Sequence, residues 1–131
     1  MLWDSSAIVA LLDASDRDHQ EALATARRLA VEERPSFITN YVVAETHALL
    51  LRELGRVAAR EWLFAGAHRI VQATPTDEER ARAILTRYAD KDWSLCDAIS
   101  FAVMDALRVT TAFSFDHHFA QYGRFTVLGL K

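Results

Sequence analysis

Short apolar runs alternate along the chain with longer segments in which apolar residues recur every three or four positions. Met1 to Trp3 reads as a short buried strand, and Ser5 to Leu12 as a helix closed by the polar stretch "DASD". Asp16 is the expected cap of a second helix, "RDHQEALATARRLAVEE", with Leu23, Ala26, Leu29 and Ala30 as its apolar stripe. Pro35 ends that helix, and "SFIT" reads as a second strand. Asn40 is the expected cap of "YVVAETHALLLREL", which stops at Gly55. A fourth helix, "RVAAREWLFAGAHR", leads to the β-branched "IVQAT". After Pro75, "TDEERARAILTRYA" carries a capping-box pattern in Thr76 and Glu79. The loop "DKDW" precedes a helix "SLCDAISFAVMDALR", and "VTTAFSF" and "FTVLGL" complete the strands. Strands separated by helices predict a three-layer α/β/α domain with a central parallel sheet of four to five short strands.

Composition narrows the class. At 131 residues the chain is most simply one domain, 1–131, large enough to bury a core. With six Gly and Pro residues in all there is no linker or low-complexity tract. The one cysteine, Cys96, can form neither an internal disulfide nor a structural zinc site, which suits a reducing compartment, and the expected location is cytoplasmic. No signal peptide pattern opens the chain and no apolar run is long enough for a membrane span. The formal net charge of −3 argues against a broad nucleic-acid-binding surface and leaves room for a local basic patch.

Four acids then stand out by position. Asp4 follows the first strand, where an open α/β sheet gathers its ligands, although the same residue can simply cap the helix from Ser5. Asp97 forms a loose capping box with Ser94, yet the helix behind it is apolar all round, through Ile99, Phe101, Val103, Met104 and Leu107. A carboxylate on such a buried helix needs hydrogen bonds or a cation to offset its desolvation. Glu45 shares a helix face with Tyr41, Ala48 and Arg52 and has a solvated reading as well. Asp116 follows a strand, where turn chemistry alone explains an aspartate. Together, however, several carboxylates in one cleft repel and raise each other's pKa, and hard divalent ions such as Mg²⁺ or Mn²⁺ relieve that repulsion.

The order and context of these acids resemble the PIN domain, and within it the VapC-type toxins of bacterial toxin–antitoxin pairs. The matching segments are "WDSSAIVALL", "NYVVAET", "DKDWSLCDAISFAVM" and "AFSFDHHF", which together span essentially the whole chain. The resemblance implies that Asp4, Glu45, Asp97 and Asp116 bind one or two Mg²⁺ ions, with Mn²⁺ as a substitute, for endoribonuclease chemistry. Asp4 and Asp97 would be the firmest ligands. Ser6 and Ser94 match supporting hydroxyls beside the first and third acids, and Asp92 falls where some members carry an extra acid. Ser114 stands where threonine is commoner. His117 and His118 lack the i, i+4 spacing of a zinc pair and are read as loop or RNA-facing residues.

The implied partners are an RNA substrate and a cognate antitoxin protein, with a homodimer at the centre of the complex. Trp62, Leu63 and Phe64 in succession cannot all be buried, so part of "EWLFAGAH" is expected at an interface. A groove for an antitoxin helix would draw on "AIVALL", "ALATARRLA" and "REWLFAGAHRI". Two other functions compete. One is a non-catalytic PIN-like binding module, against which the presence of all four acids speaks. The other is a phosphoacceptor resembling a response-regulator receiver. Against it, Lys91 lies in a loop and Lys131 is terminal, leaving no lysine near the last strands.

Overall fold

The computed structural model describes residues 1–130; Lys131, the terminal lysine weighed above, lies outside them. Among the described residues the strands are β1 (Leu2–Trp3), β2 (Phe37–Thr39), β3 (Arg69–Val71), β4 (Thr111–Phe113) and β5 (Thr126–Leu128). The helices are α1 (Ser5–Leu12), α2 (His19–Val31), α3 (Asn40–Leu54), α4 (Arg56–Ala65), α5 (Pro75–Arg87), α6 (Leu95–Leu107) and α7 (His117–Tyr122). Every strand pair is parallel, in the order β3-β2-β1-β4-β5, so β1 is central, with Leu2 paired to both Phe37 and Ala112.

Side chains alternate across a sheet with period two, and here both faces are covered. Leu2, Phe37 and Ala112 point to one face, against Ala81 of α5, Phe101 and Met104 of α6, and Phe119 of α7. Trp3 and Phe113 point to the other, against Ala7 and Ala10 of α1 and Ala22 and Leu29 of α2. Ile38 joins Ile8 and Val42, which brings α3 against α1. This is the expected three-layer α/β/α arrangement, with five strands. Among the described residues no helix is long and apolar enough to cross a membrane.

Several local expectations are corrected. Helix α2 begins at His19, after Asp18, because Asp16 spends its carboxylate on the Asp18 N–H inside the preceding turn. Its buried stripe is Ala22, Thr25 and Leu29; Leu23 is half-buried and Ala30 exposed. Thr39, at the end of β2, caps α3 through the Val42 N–H, and Asn40 instead accepts from the Ala73 N–H. The capping box of α5 is Thr74 with Asp77, since Pro75 occupies the first helical position and makes its predecessor the cap. Helix α7 was not expected: "HHFAQY" is too short to display a helical period.

Candidate metal centre

Strands of two or three residues make a sheet so narrow that the ends of β1 and β4 and the start of α6 lie together. Asp4 leaves β1 with its N–H on the Phe113 carbonyl of β4, at 2.9 Å, and then caps α1. Its Oδ2 accepts from the Ser6 N–H at 3.3 Å, the Ser6 hydroxyl at 2.7 Å and the Ser114 hydroxyl at 3.0 Å. Those two serines also grip the turn after β4. Phe115 N–H donates to Ser6 Oγ and Asp116 N–H to Ser114 Oγ, each at 3.0 Å. Ser114 is wholly buried, and β5 presses on it from the far side. At Gly129 (φ +103°) a Cβ would lie 2.7 Å from the Ser114 carbonyl oxygen, so only glycine admits that approach.

Asp97 caps its helix as expected. Its Oδ2 accepts from the Ser94 N–H at 3.1 Å while Ser94 Oγ accepts from the Asp97 N–H, completing a capping box on α6. The side chain is also buried beside the other acids, only 6% exposed. Glu45, half-buried on α3, accepts from the Ser5 hydroxyl at 2.8 Å. Asp116 caps α7 through the His118 N–H at 2.9 Å.

The remaining oxygens tell more. Asp4 Oδ1 and Asp97 Oδ1 accept no hydrogen bond among the described residues, whereas each partner oxygen is tied down. Burial pushes the Asp4 carboxyl up to about 7; the Ser6 hydroxyl opposes this, and the charges of Asp97 and Glu45 add to it. Asp97 is also raised by burial, against the pull of His118 and Ser94, with Asp116 adding to the rise. Cys96 lies in the same field: burial, Glu45, Asp4 and Asp97 all hold its thiol protonated. An oxygen-rich, mutually repelling donor set of this kind suits a hard divalent cation.

Two residues depart from expectation. His118 lies in no loop but is the second residue of α7: its Nδ1 lies 2.8 Å from Asp97 Oδ2 and 3.3 Å from Asp116 Oδ1, and the three groups are clustered within reach of one ion. The helical turn after Asp116 aims this second residue back at α6, and a helix of six residues left no signal of it in the sequence. Ser114, read only as a mild change from threonine, is the hydroxyl linking Asp4 to Asp116. His117 does face outward, into a cleft of about 580 Å³ bordered by Ser6, Arg17, Arg52 and Asp116. Asp92 is exposed in the loop before α6.

Residues 1–125 match the family model of the PIN domain. The chain belongs to the PIN domain family. Within it, the chain is 36% identical over 124 residues to the 23S rRNA-specific endonuclease VapC20 of Mycobacterium tuberculosis, with 92% of each sequence covered. It is 29% identical over 137 residues to Ribonuclease VapC26 of the same species, covering 98% of this chain and 99% of that one. The crystal structure of VapC20, described as a sarcin-ricin loop cleaving toxin, matches this PIN domain with a TM-score of 0.80 and 32% identity, over 94% and 95% of the two chains. A toxin–antitoxin complex from Klebsiella pneumoniae shares the fold, with a TM-score of 0.66 at 21% identity over 95% and 94%.

Proposed function

We propose that this chain is a metal-dependent endoribonuclease, the toxin of a toxin–antitoxin pair, with Asp4, Glu45, Asp97 and Asp116 as ligands of one or two Mg²⁺ or Mn²⁺ ions. The observation that carries this reading is the pair of buried carboxylates, Asp4 and Asp97, each with one oxygen fixed by the protein and the other free. The nuclease relatives support the reaction class. When bound, such an ion supplies Lewis acidity to a phosphodiester oxygen and an activated water. The chain's own part is orientation. Ser6 and Ser114 hold Asp4, Ser94 holds Asp97 and Ser5 holds Glu45, so the charges stand in place before an RNA strand enters the cleft beside Asp116. Arg17 and Arg52 border that cleft, each also near an acid of its own, Asp18 and Glu53.

Chelation tests the reading. The core is built without the ion, so EDTA should abolish RNA cleavage while the far-ultraviolet circular dichroism stays unchanged, and added Mn²⁺ should restore activity. Unfolding on chelation would mean a structural ion and sink the catalytic assignment.

A candidate partner surface lies on α4. Trp62 turns inward against Ile8 and Ile38, and its neighbour Phe64 is thrown outward, 80% exposed, beside exposed Leu63 and Val57. We read this ridge as the contact for a second copy of the chain, within a complex that also takes up the antitoxin. Phe64→Glu should shift the protein to monomer in sedimentation velocity, with stability changed by no more than about 0.5 kcal/mol. A wild-type chain that is monomeric at every concentration counts against the homodimer.

A further inference from the structure

We infer that His118 is itself a metal ligand, giving the centre one nitrogen donor and a preference for a first-row transition ion such as Mn²⁺ over Mg²⁺. The inference rests on the metal-dependent reading above and goes beyond its four acids. His118 is the second residue of α7, and the next residue, Phe119, is wholly buried with its ring 5.0 Å from that of Phe101. That anchor fixes the helix, and with it the imidazole over the start of α6.

Nδ1 stands 2.8 Å from Asp97 Oδ2 and 3.3 Å from Asp116 Oδ1. Neighbouring donors on an octahedral ion with bonds of roughly 2.1–2.2 Å lie about 3 Å apart, so these separations suit adjacent coordination positions, each oxygen keeping a lone pair beyond the one its backbone hydrogen bond uses. The same distances allow a plain hydrogen bond, in which the imidazole only orients the two acids. Yet both oxygens already have backbone donors: Ser94 N–H holds Asp97 Oδ2 and His118 N–H holds Asp116 Oδ1. The acids are oriented without the ring, and what the ring adds is a nitrogen. Imidazole favours transition ions, whereas an all-oxygen site suits Mg²⁺ equally well.

The test uses the full chain with Mn²⁺ alone. Pulsed electron paramagnetic resonance of the Mn²⁺-loaded protein should show direct ¹⁴N coupling, replaced by the ¹⁵N pattern when histidine is ¹⁵N-labelled. His118→Gln should remove the coupling, and His117→Ala should keep it. In equilibrium titrations His118→Gln should weaken Mn²⁺ binding by about ten- to a hundredfold. Mg²⁺ binding should fall severalfold less. The labelled wild-type spectrum decides even if a variant does not fold. Mn²⁺ that binds tightly without histidine nitrogen coupling overturns the inference and leaves the acidic centre standing. A chain that binds no Mn²⁺ overturns both.

Discussion

Asp97→Asn should lower RNA cleavage by about two orders of magnitude or more while leaving the protein folded, because it removes a charge from the proposed ligand set and little else. The substituted amide oxygen can still accept the Ser94 N–H, so the capping box loses at most about 1 kcal/mol. Relief of repulsion from Asp116, one of the causes of the raised Asp97 pKa, works in the opposite direction. The metal-free variant should therefore melt close to wild type, and Mn²⁺ should stabilise it far less than wild type. Asp4→Asn should behave alike, and the double variant should lose little more activity than either single one, since residues acting as one unit are not additive. Melting with and without Mn²⁺, beside cleavage of the same RNA, checks all three. An Asp97→Asn protein cleaving at near wild-type rate would falsify the assignment and leave Asp97 as a cap.

The layered fold was legible because its signals are local and repeated. Short runs such as the apolar "MLW" and the β-branched and aromatic "FIT" mark strands, and between them lie helices bounded by caps and by Pro35, Gly55 and Pro75. What failed was the choice between adjacent capping residues. Thr39 and Asn40 are both good caps, and so are Thr74 and Thr76; only the extended backbone at Thr39 and Thr74 decides which side chain reaches its N–H. Helix α7 was invisible for a different reason. At six residues it holds fewer than two turns, and it exists because Asp116 caps it and Phe119 and Tyr122 bury its inner face.

The acids of the candidate site were legible as positions, since a carboxylate after a strand or at the head of an apolar helix is unusual enough to notice. Their juxtaposition came from the resemblance, because Asp4 and Asp97 lie far apart in sequence. The polar scaffold was only half legible. Ser6 and Ser94 lie two and three residues from the acids they serve, a spacing visible in the chain. Ser114 reaches Asp4 across 110 positions through the pairing of β1 with β4, and no local pattern encodes that contact. His118 was misread for the same reason: its partner Asp97 is on another helix.

Asp4→Asn should also change how stability depends on pH, in a direction fixed by burial. In the unfolded chain the carboxyl titrates near 3.8, and in the folded protein it is pushed up to about 7. Between those values the folded state holds a proton that the unfolded state has lost, so stability falls as pH rises through that window and levels off above it. The penalty at pH 8 is on the order of 4 kcal/mol at its largest. Asparagine carries no such penalty. In EDTA, the variant should match or fall slightly below wild type at pH 4 and exceed it increasingly up to about pH 7, with a constant margin beyond. Asp97, raised in the same direction, should leave part of the slope in the variant. Saturating Mn²⁺ should reverse the order at pH 8: wild type gains binding free energy that offsets the buried charge, and the variant has lost a ligand. Urea denaturation at a series of pH values, with EDTA and with Mn²⁺, reads both effects. A margin independent of pH would mean that Asp4 is as well solvated as a surface cap, and the buried-ligand account of this strand end would fail.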